Sequence, residues 1–89
     1  MVYRLKKDEL AYRKIGDEFF ILTTADSMLH NIKGVGVRIL ELLEEDRTEE
    51  EIRAALSAEY DAPAAHIEAD LASFLAELEA KGIVTSNES

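Results

Sequence analysis

The spacing of apolar residues changes once along the chain, close to Gly34. Before that point, three short runs are rich in branched and aromatic residues and are separated by turn residues, which predicts strands. The runs are Leu10–Ile15, Glu18–Thr23 and Met28–Lys33, and Gly16-Asp17 fits the two-residue loop of a type II′ hairpin. After Gly34, apolar residues recur three or four positions apart, which predicts helices. The chain is therefore predicted to have an α+β fold.

The predicted architecture is an N-terminal three-stranded antiparallel sheet (about residues 10–33) followed by a three-helix bundle. The helices are expected at about residues 35–45, 49–59 and 63–81. The second helix has the clearest start, because Thr48 and Glu51 have the spacing of a capping box. Residues 1–9 are predicted to be a lead-in with some extended structure, and Thr85–Ser89 a polar tail.

Length and charge narrow the class of protein. With 89 residues, we expect residues 1–89 to form a single domain. The net charge of −9 opposes binding to nucleic acid and to anionic membranes. No apolar run approaches the ~18 residues of a membrane span. The N-terminus lacks the apolar core of a signal peptide, so we expect a cytoplasmic protein.

Candidate catalytic and metal-binding groups are scarce. The chain has no cysteine, and its two histidines, His30 and His66, lie in different predicted elements. The acidic residues from Glu44 to Glu51 lack the spacing of a calcium loop. Gly34-Val35-Gly36 lacks the third glycine and the lysine of phosphate-binding loops. We therefore predict no catalytic residue, no metal site and no cofactor.

Three helices after a small sheet are also typical of winged helix-turn-helix regulators. A recognition helix should carry Arg and Lys, whereas the predicted third helix exposes mainly acidic residues and only one fully basic residue, Lys81. A winged-helix DNA-binding regulator and a protein–protein adaptor remain as alternatives. Peptide binding fits better, because Met28–Lys33 is predicted to be an edge strand. An extended peptide could add to that edge in a groove beside the third helix.

Four segments together resemble the PqqD family, the small peptide chaperones of pyrroloquinoline quinone biosynthesis, whose fold recurs as the RiPP recognition element. The segments are Asp8–Arg13, Val35–Leu43, Thr48–Ile52 and Glu68–Ile83. The resemblance covers about residues 3–84. Ile32-Lys33 stands where the family commonly has Leu-Asn, and Leu40 replaces a frequent Trp.

The resemblance implies a three-stranded sheet packed on a three-helix bundle of winged-helix type. It implies that the leader of a ribosomally made precursor lies antiparallel to the third strand, and that the protein presents this precursor to a modifying enzyme. In many family systems that enzyme is a radical SAM enzyme, and its iron–sulfur clusters belong to the enzyme. A monomer or a weak dimer is expected, since the exposed edge can pair with a second copy.

The same resemblance assigns the peptide contacts. On the strand they are Leu29, His30, Asn31, Ile32 and Lys33, and on the third helix they are Glu68, Leu71, Ala72 and Leu75. The helix positions assume that Ile67, Phe74 and Leu78 point into the core. Ile32→Pro is expected to abolish strand addition, because proline removes a backbone donor.

Overall fold

The computed structural model describes residues 1–87, which form six strands and three helices. The strands are β1 Val2–Leu5, β2 Leu10–Ile15, β3 Glu18–Thr23, β4 Met28–Ile32, β5 Arg47–Thr48 and β6 Val84–Asn87. The helices are α1 Val35–Leu42, α2 Glu49–Glu59 and α3 Ala64–Ala80, and a short 3-10 helix covers Lys7–Glu9. The predicted α+β class is confirmed, although α1 ends at Leu42 rather than near residue 45.

Strands β2, β3 and β4 form an antiparallel meander in that order, called here the meander sheet. The turn between β2 and β3 is of type II′, because Gly16 has φ of 60° and Asp17 does not have a positive φ. Phe19 and Ile21 of β3 are buried against the helices, whereas Leu22 on the other face is exposed. The sheet therefore has one face in the core and one in solvent.

The chain ends form a second sheet, which is the main feature that the sequence prediction missed. Strand β1 lies between β5 and β6, antiparallel to both, and pairs Val2 with Thr48 and Asn87. Tyr3 and Leu5 point into the core. The extended structure expected in residues 1–9 is present as β1, but it belongs to a sheet rather than to a lead-in. Residues 85–87 belong to β6 rather than to a polar tail, and the rest of that predicted tail, residues 88–89, lies outside the described residues.

Helix α2 begins as its sequence predicts. The backbone N–H of Glu51 donates to Thr48 Oγ1 at 3.1 Å, and the N–H of Thr48 donates to Glu51 Oε1 at 2.8 Å. These reciprocal bonds hold the pKa of Glu51 below its ordinary value. A single apolar core joins both sheets and all three helices. None of the described helices is long and apolar enough to span a membrane.

Candidate functional site

The tight turn between β2 and β3 determines which residues of the meander sheet form hydrogen-bonded pairs. Ile15 and Glu18 flank the two-residue loop and form a hydrogen-bonded pair. At the far end of these strands, the N–H of Thr24 donates to the C=O of Glu9 at 3.1 Å, which keeps the same phase. Because such pairs alternate along antiparallel strands, even-numbered residues of β3 bond to β2 and odd-numbered residues bond to β4.

The register between β3 and β4 then identifies the free backbone groups of β4. The odd-numbered residues of β3 lie opposite Met28, His30 and Ile32. The N–H and C=O groups of Leu29 and Asn31 therefore point away from β3. Strand β4 is at the end of the sheet, so no other strand of residues 1–87 pairs with these groups. They form an unpaired edge to which an extended chain can bond.

From Leu29 to Ile32 the side chains of β4 alternate in burial, because successive residues of a strand point to opposite faces of the sheet. Ile32 is buried, with 7% of its surface exposed, and His30 is half-buried. Leu29 is 67% exposed and Asn31 is also exposed. Since the N–H of Ile32 points toward β3, Ile32→Pro would break the sheet itself. The expectation that this variant tests strand addition is therefore wrong.

The turn that leads into β4 is held by Asp26. Its carboxylate accepts hydrogen bonds from the Thr23 hydroxyl and, at 3.2 Å, from the Met28 N–H. The Thr23 bond and then the Met28 bond hold the pKa of Asp26 below its ordinary value. Ser27 completes the turn in the left-handed region, with φ of 56°. The start of β4 is thus fixed by side-chain contacts within the turn.

Strand β4 meets α3 at Gly36 of α1. A Cβ atom at Gly36 would lie 2.7 Å from Ile32 Cγ2 and 2.8 Å from Phe74 Cζ, so the three residues converge. Phe74 is only half-buried. Its ring therefore lies beside the C-terminal end of β4, with part of its surface open. Phe74 packs against the core, as the sequence prediction assumed, but part of its ring is exposed.

The other predicted contacts on α3 do not reach this position. Leu71 and Leu75 are each 1% exposed, because they lie at the centre of the apolar stripe that packs into the core. Glu68 lies on the opposite side of the stripe, 3.8 Å from Arg53 of α2. Ala72, one turn beyond Glu68, lies on that same side. Leu71 and Leu75 thus belong to the core, whereas Glu68 and Ala72 lie on the α2 side of α3.

Asp70 and Glu77 are the groups that lie beside Phe74, one turn before it and one turn after it. We call the space between this stripe and the free edge of β4 the β4–α3 groove. Its walls are the free backbone edge of β4 at Leu29 and Asn31 and, on the helix, the side chains of Asp70, Phe74 and Glu77. The sequence prediction did not include Asp70 and Glu77. Their positions, four residues before and three residues after Phe74, could have been read from the sequence.

A pocket of about 230 Å³ adjoins the groove at Asp70. Ile39, Leu56 and Ile67 line its apolar floor. Tyr60, His66 and Asp70 also line it and supply its polar groups. The pocket thus combines an apolar floor with one carboxylate. No group of three potential metal ligands occurs within residues 1–87.

Comparison with known proteins identifies the family of this chain. The family model described as Coenzyme PQQ synthesis protein D (PqqD) matches residues 18–84. The chain belongs to the PqqD family. The match begins at β3 and ends at β6, so it includes β4, α3 and the groove between them.

Two solved structures share the PqqD-like fold. A structure described as TbiB1 in complex with the TbiA(beta) leader peptide is 31% identical in sequence, with a TM-score of 0.87. The alignment covers 97% of this chain and 99% of that one. A lasso peptide synthetase B1 complexed with the leader peptide is 18% identical, with a TM-score of 0.80 over 94% and 98% of the two chains. No curated protein matches the sequence.

Proposed function

We propose that this protein is a non-catalytic peptide chaperone that binds the leader of a ribosomally synthesised precursor by strand addition to β4. The observation that carries the proposal is the unpaired edge of β4, which lies beside a half-buried aromatic residue of α3. The family match and the leader-peptide complex of the 31%-identical neighbour support it. In this proposal, residues 1–89 act as one peptide-recognition domain.

Main-chain bonds would supply the sequence-independent part of the affinity. Leu29 and Asn31 offer two N–H donors and two C=O acceptors on one edge, spaced for an antiparallel partner strand. His30 and Ile32 belong to the same strand but bond inward, so they support the edge rather than contact the peptide backbone. Lys33 ends the edge, and its ammonium lies 3.4 Å from Glu18.

Side chains would supply the selectivity. In an added strand, alternate residues point to opposite faces of the sheet. One set would enter the groove and pack on Phe74. The other set would lie on the solvent face beside Leu29 and Leu22, which are both exposed. The bound peptide would therefore remain partly accessible to a second protein.

Because the bound peptide stays partly accessible, the protein could present it to a second protein. We infer that the second protein is the modifying enzyme of a pathway like pyrroloquinoline quinone biosynthesis, and that it is a radical SAM enzyme. Its clusters would be held by the enzyme, because the PqqD-like chain has no cysteine.

The experiment that tests the proposal measures the affinity of a fluorescent leader peptide, taken from a precursor encoded beside this gene. Leu29→Pro removes an outward N–H and should weaken binding about tenfold or more, since one net hydrogen bond is worth ~1 kcal/mol and the ring also blocks close approach. Leu29→Ala keeps the N–H and controls for loss of the side chain.

A second control places proline on the other edge of the same sheet. Lys14 of β2 also has an outward N–H by the alternation described above. Lys14→Pro should therefore leave the affinity unchanged. A folded Leu29→Pro variant with wild-type affinity, or equal losses at Leu29 and Lys14, would contradict binding at β4.

A further inference from the structure

The helical wall of the β4–α3 groove is acidic, and its carboxylates are not neutralised by the protein. Asp70 and Glu77 flank Phe74, and neither lies within 4 Å of a cationic group in residues 1–87. Lys81, one turn beyond Glu77, is not paired with it. Most other cations of the described chain do have a carboxylate partner. They are Arg4, Lys7, Lys14, Lys33, Arg38, Arg47 and Arg53.

We propose that the peptide segment accepted by this groove is cationic, with Lys or Arg facing Asp70 and Glu77 and an apolar residue between them on Phe74. The inference rests on the proposed leader-binding function and specifies its substrate class. An acidic or neutral segment would leave both carboxylates without a partner. A cationic segment would also be attracted by the net charge of −9.

The spacing of the wall suits alternate residues of an extended peptide. Asp70 and Glu77 are seven residues apart, or roughly 10 Å along the helix axis. Residues on one face of a strand recur about every 6.8 Å, so residues i and i+4 are roughly 13.6 Å apart. The flexible stems of Lys and Arg can close that difference. The expected pattern is therefore basic, apolar and basic at positions i, i+2 and i+4.

The pocket beside Asp70 favours a long basic side chain over a short one. Val35 and Tyr60 line it and are themselves exposed, so apolar surface lies next to the carboxylate. The methylene stem of Lys or Arg can cover such surface while its charged end reaches the carboxylate. His66 lines the same pocket. The pocket thus offers a place for the stem as well as for the charge.

The test begins with selection of random 12-residue displayed peptides on the intact protein. Selected peptides whose binding is lost in Leu29→Pro should be enriched in the basic–apolar–basic pattern. The best one is then synthesised with its basic residues as Lys and as Glu. The Glu version should bind at least tenfold more weakly at low salt, and the difference should shrink at 0.5 M salt, where the Debye length is only about 4 Å.

Variants of Asp70 and Glu77 distinguish a local contact with the peptide from a general effect of the net charge. Asp70→Asn and Glu77→Gln should each weaken binding of the Lys peptide about two- to fivefold, as expected for exposed ion pairs. Glu68→Gln changes the net charge equally but lies on the α2 side of α3, so it should change the affinity less than twofold.

Three results would contradict the inference. If the selected peptides bind at β4 without basic residues, the cationic assignment is wrong and the leader-binding function stands. The cationic assignment is also wrong, and the leader-binding function stands, if Glu68→Gln weakens binding as much as Asp70→Asn and Glu77→Gln do. If no selected peptide depends on Leu29, both the assignment and the proposed function fail.

Discussion

The two edges of the meander sheet differ in what lies against them. On β2, the Lys14 ammonium donates to Glu41 of α1 at 2.6 Å, and the Tyr12 hydroxyl donates to Glu44 just after α1 at 3.1 Å. On β4, Leu29 and Asn31 are exposed, and the buried Ile32 at the end of the strand lies close to α1 at Gly36. The first edge is tied to the fold by its side chains, whereas the second faces a groove. This difference marks β4 as the edge available for a partner.

Within β4, the direction of each N–H should divide structural positions from binding positions. Ile32→Pro removes a bond to β3 and a buried side chain, so it should lower the free energy of unfolding by about 3–5 kcal/mol. Leu29→Pro should lower it by no more than ~1 kcal/mol. Urea denaturation of both variants checks this. Equal losses would show that the alternation along β4 is assigned to the wrong residues.

Gly36 should set how closely β4 approaches α3. Gly36→Ala places a methyl group against Ile32 and Phe74, and overpacking costs about 1–3 kcal/mol, offset by up to ~1 kcal/mol of helix propensity. We expect a net loss of about 1–2 kcal/mol in thermal or urea unfolding. Phe74→Leu in the same chain should recover part of it. Strictly additive losses in the double variant would contradict the contact.

The contacts along β2 should matter only for the fold. Lys14 and Glu41 are both partly exposed, so Lys14→Ala should lower the free energy of unfolding by less than about 1 kcal/mol. Leader affinity, measured by fluorescence anisotropy, should not change. A loss of affinity comparable to that of Leu29→Pro would mean that the β2 edge takes part in binding.

The turn before β4 should give the smallest effect, a dependence on pH. Because folding lowers the pKa of Asp26, its contribution to stability is present above about pH 4 and is lost as the pH falls through the lowered value. Proton–nitrogen spectra should show the Met28 amide shift with this transition. Asp26→Asn should remove it. A transition that persists in the variant would assign it to another carboxylate.

Local patterns were sufficient to predict the elements that position the groove. The type II′ loop at Gly16, the capping box at Thr48 and the apolar repeat of α3 are all encoded within a few residues. The sheet of β1, β5 and β6 was missed because it joins Val2 to Asn87 across nearly the whole chain. Such pairing leaves little signal in either short segment.

The peptide contacts on α3 could not be assigned from periodicity alone. The apolar stripe has Leu71 and Leu75 at its centre and Phe74 on one side. Periodicity locates the stripe but does not show which side faces β4. The contacts of Gly36 with Phe74 and of Glu68 with Arg53 decide it. Glu68 and Ala72 therefore lie on the α2 side of the helix, away from the β4–α3 groove.

Amide hydrogen exchange of the protein with and without the leader peptide tests the central claim most directly. If the peptide adds to β4, the amides of Leu29 and Asn31 should exchange more slowly in the complex, because their N–H groups gain partners. The outward amides of β2, at Tyr12 and Lys14, should be unchanged. Saturable binding with no added protection at Leu29 and Asn31, or with protection at Tyr12 and Lys14 instead, would contradict strand addition at this edge.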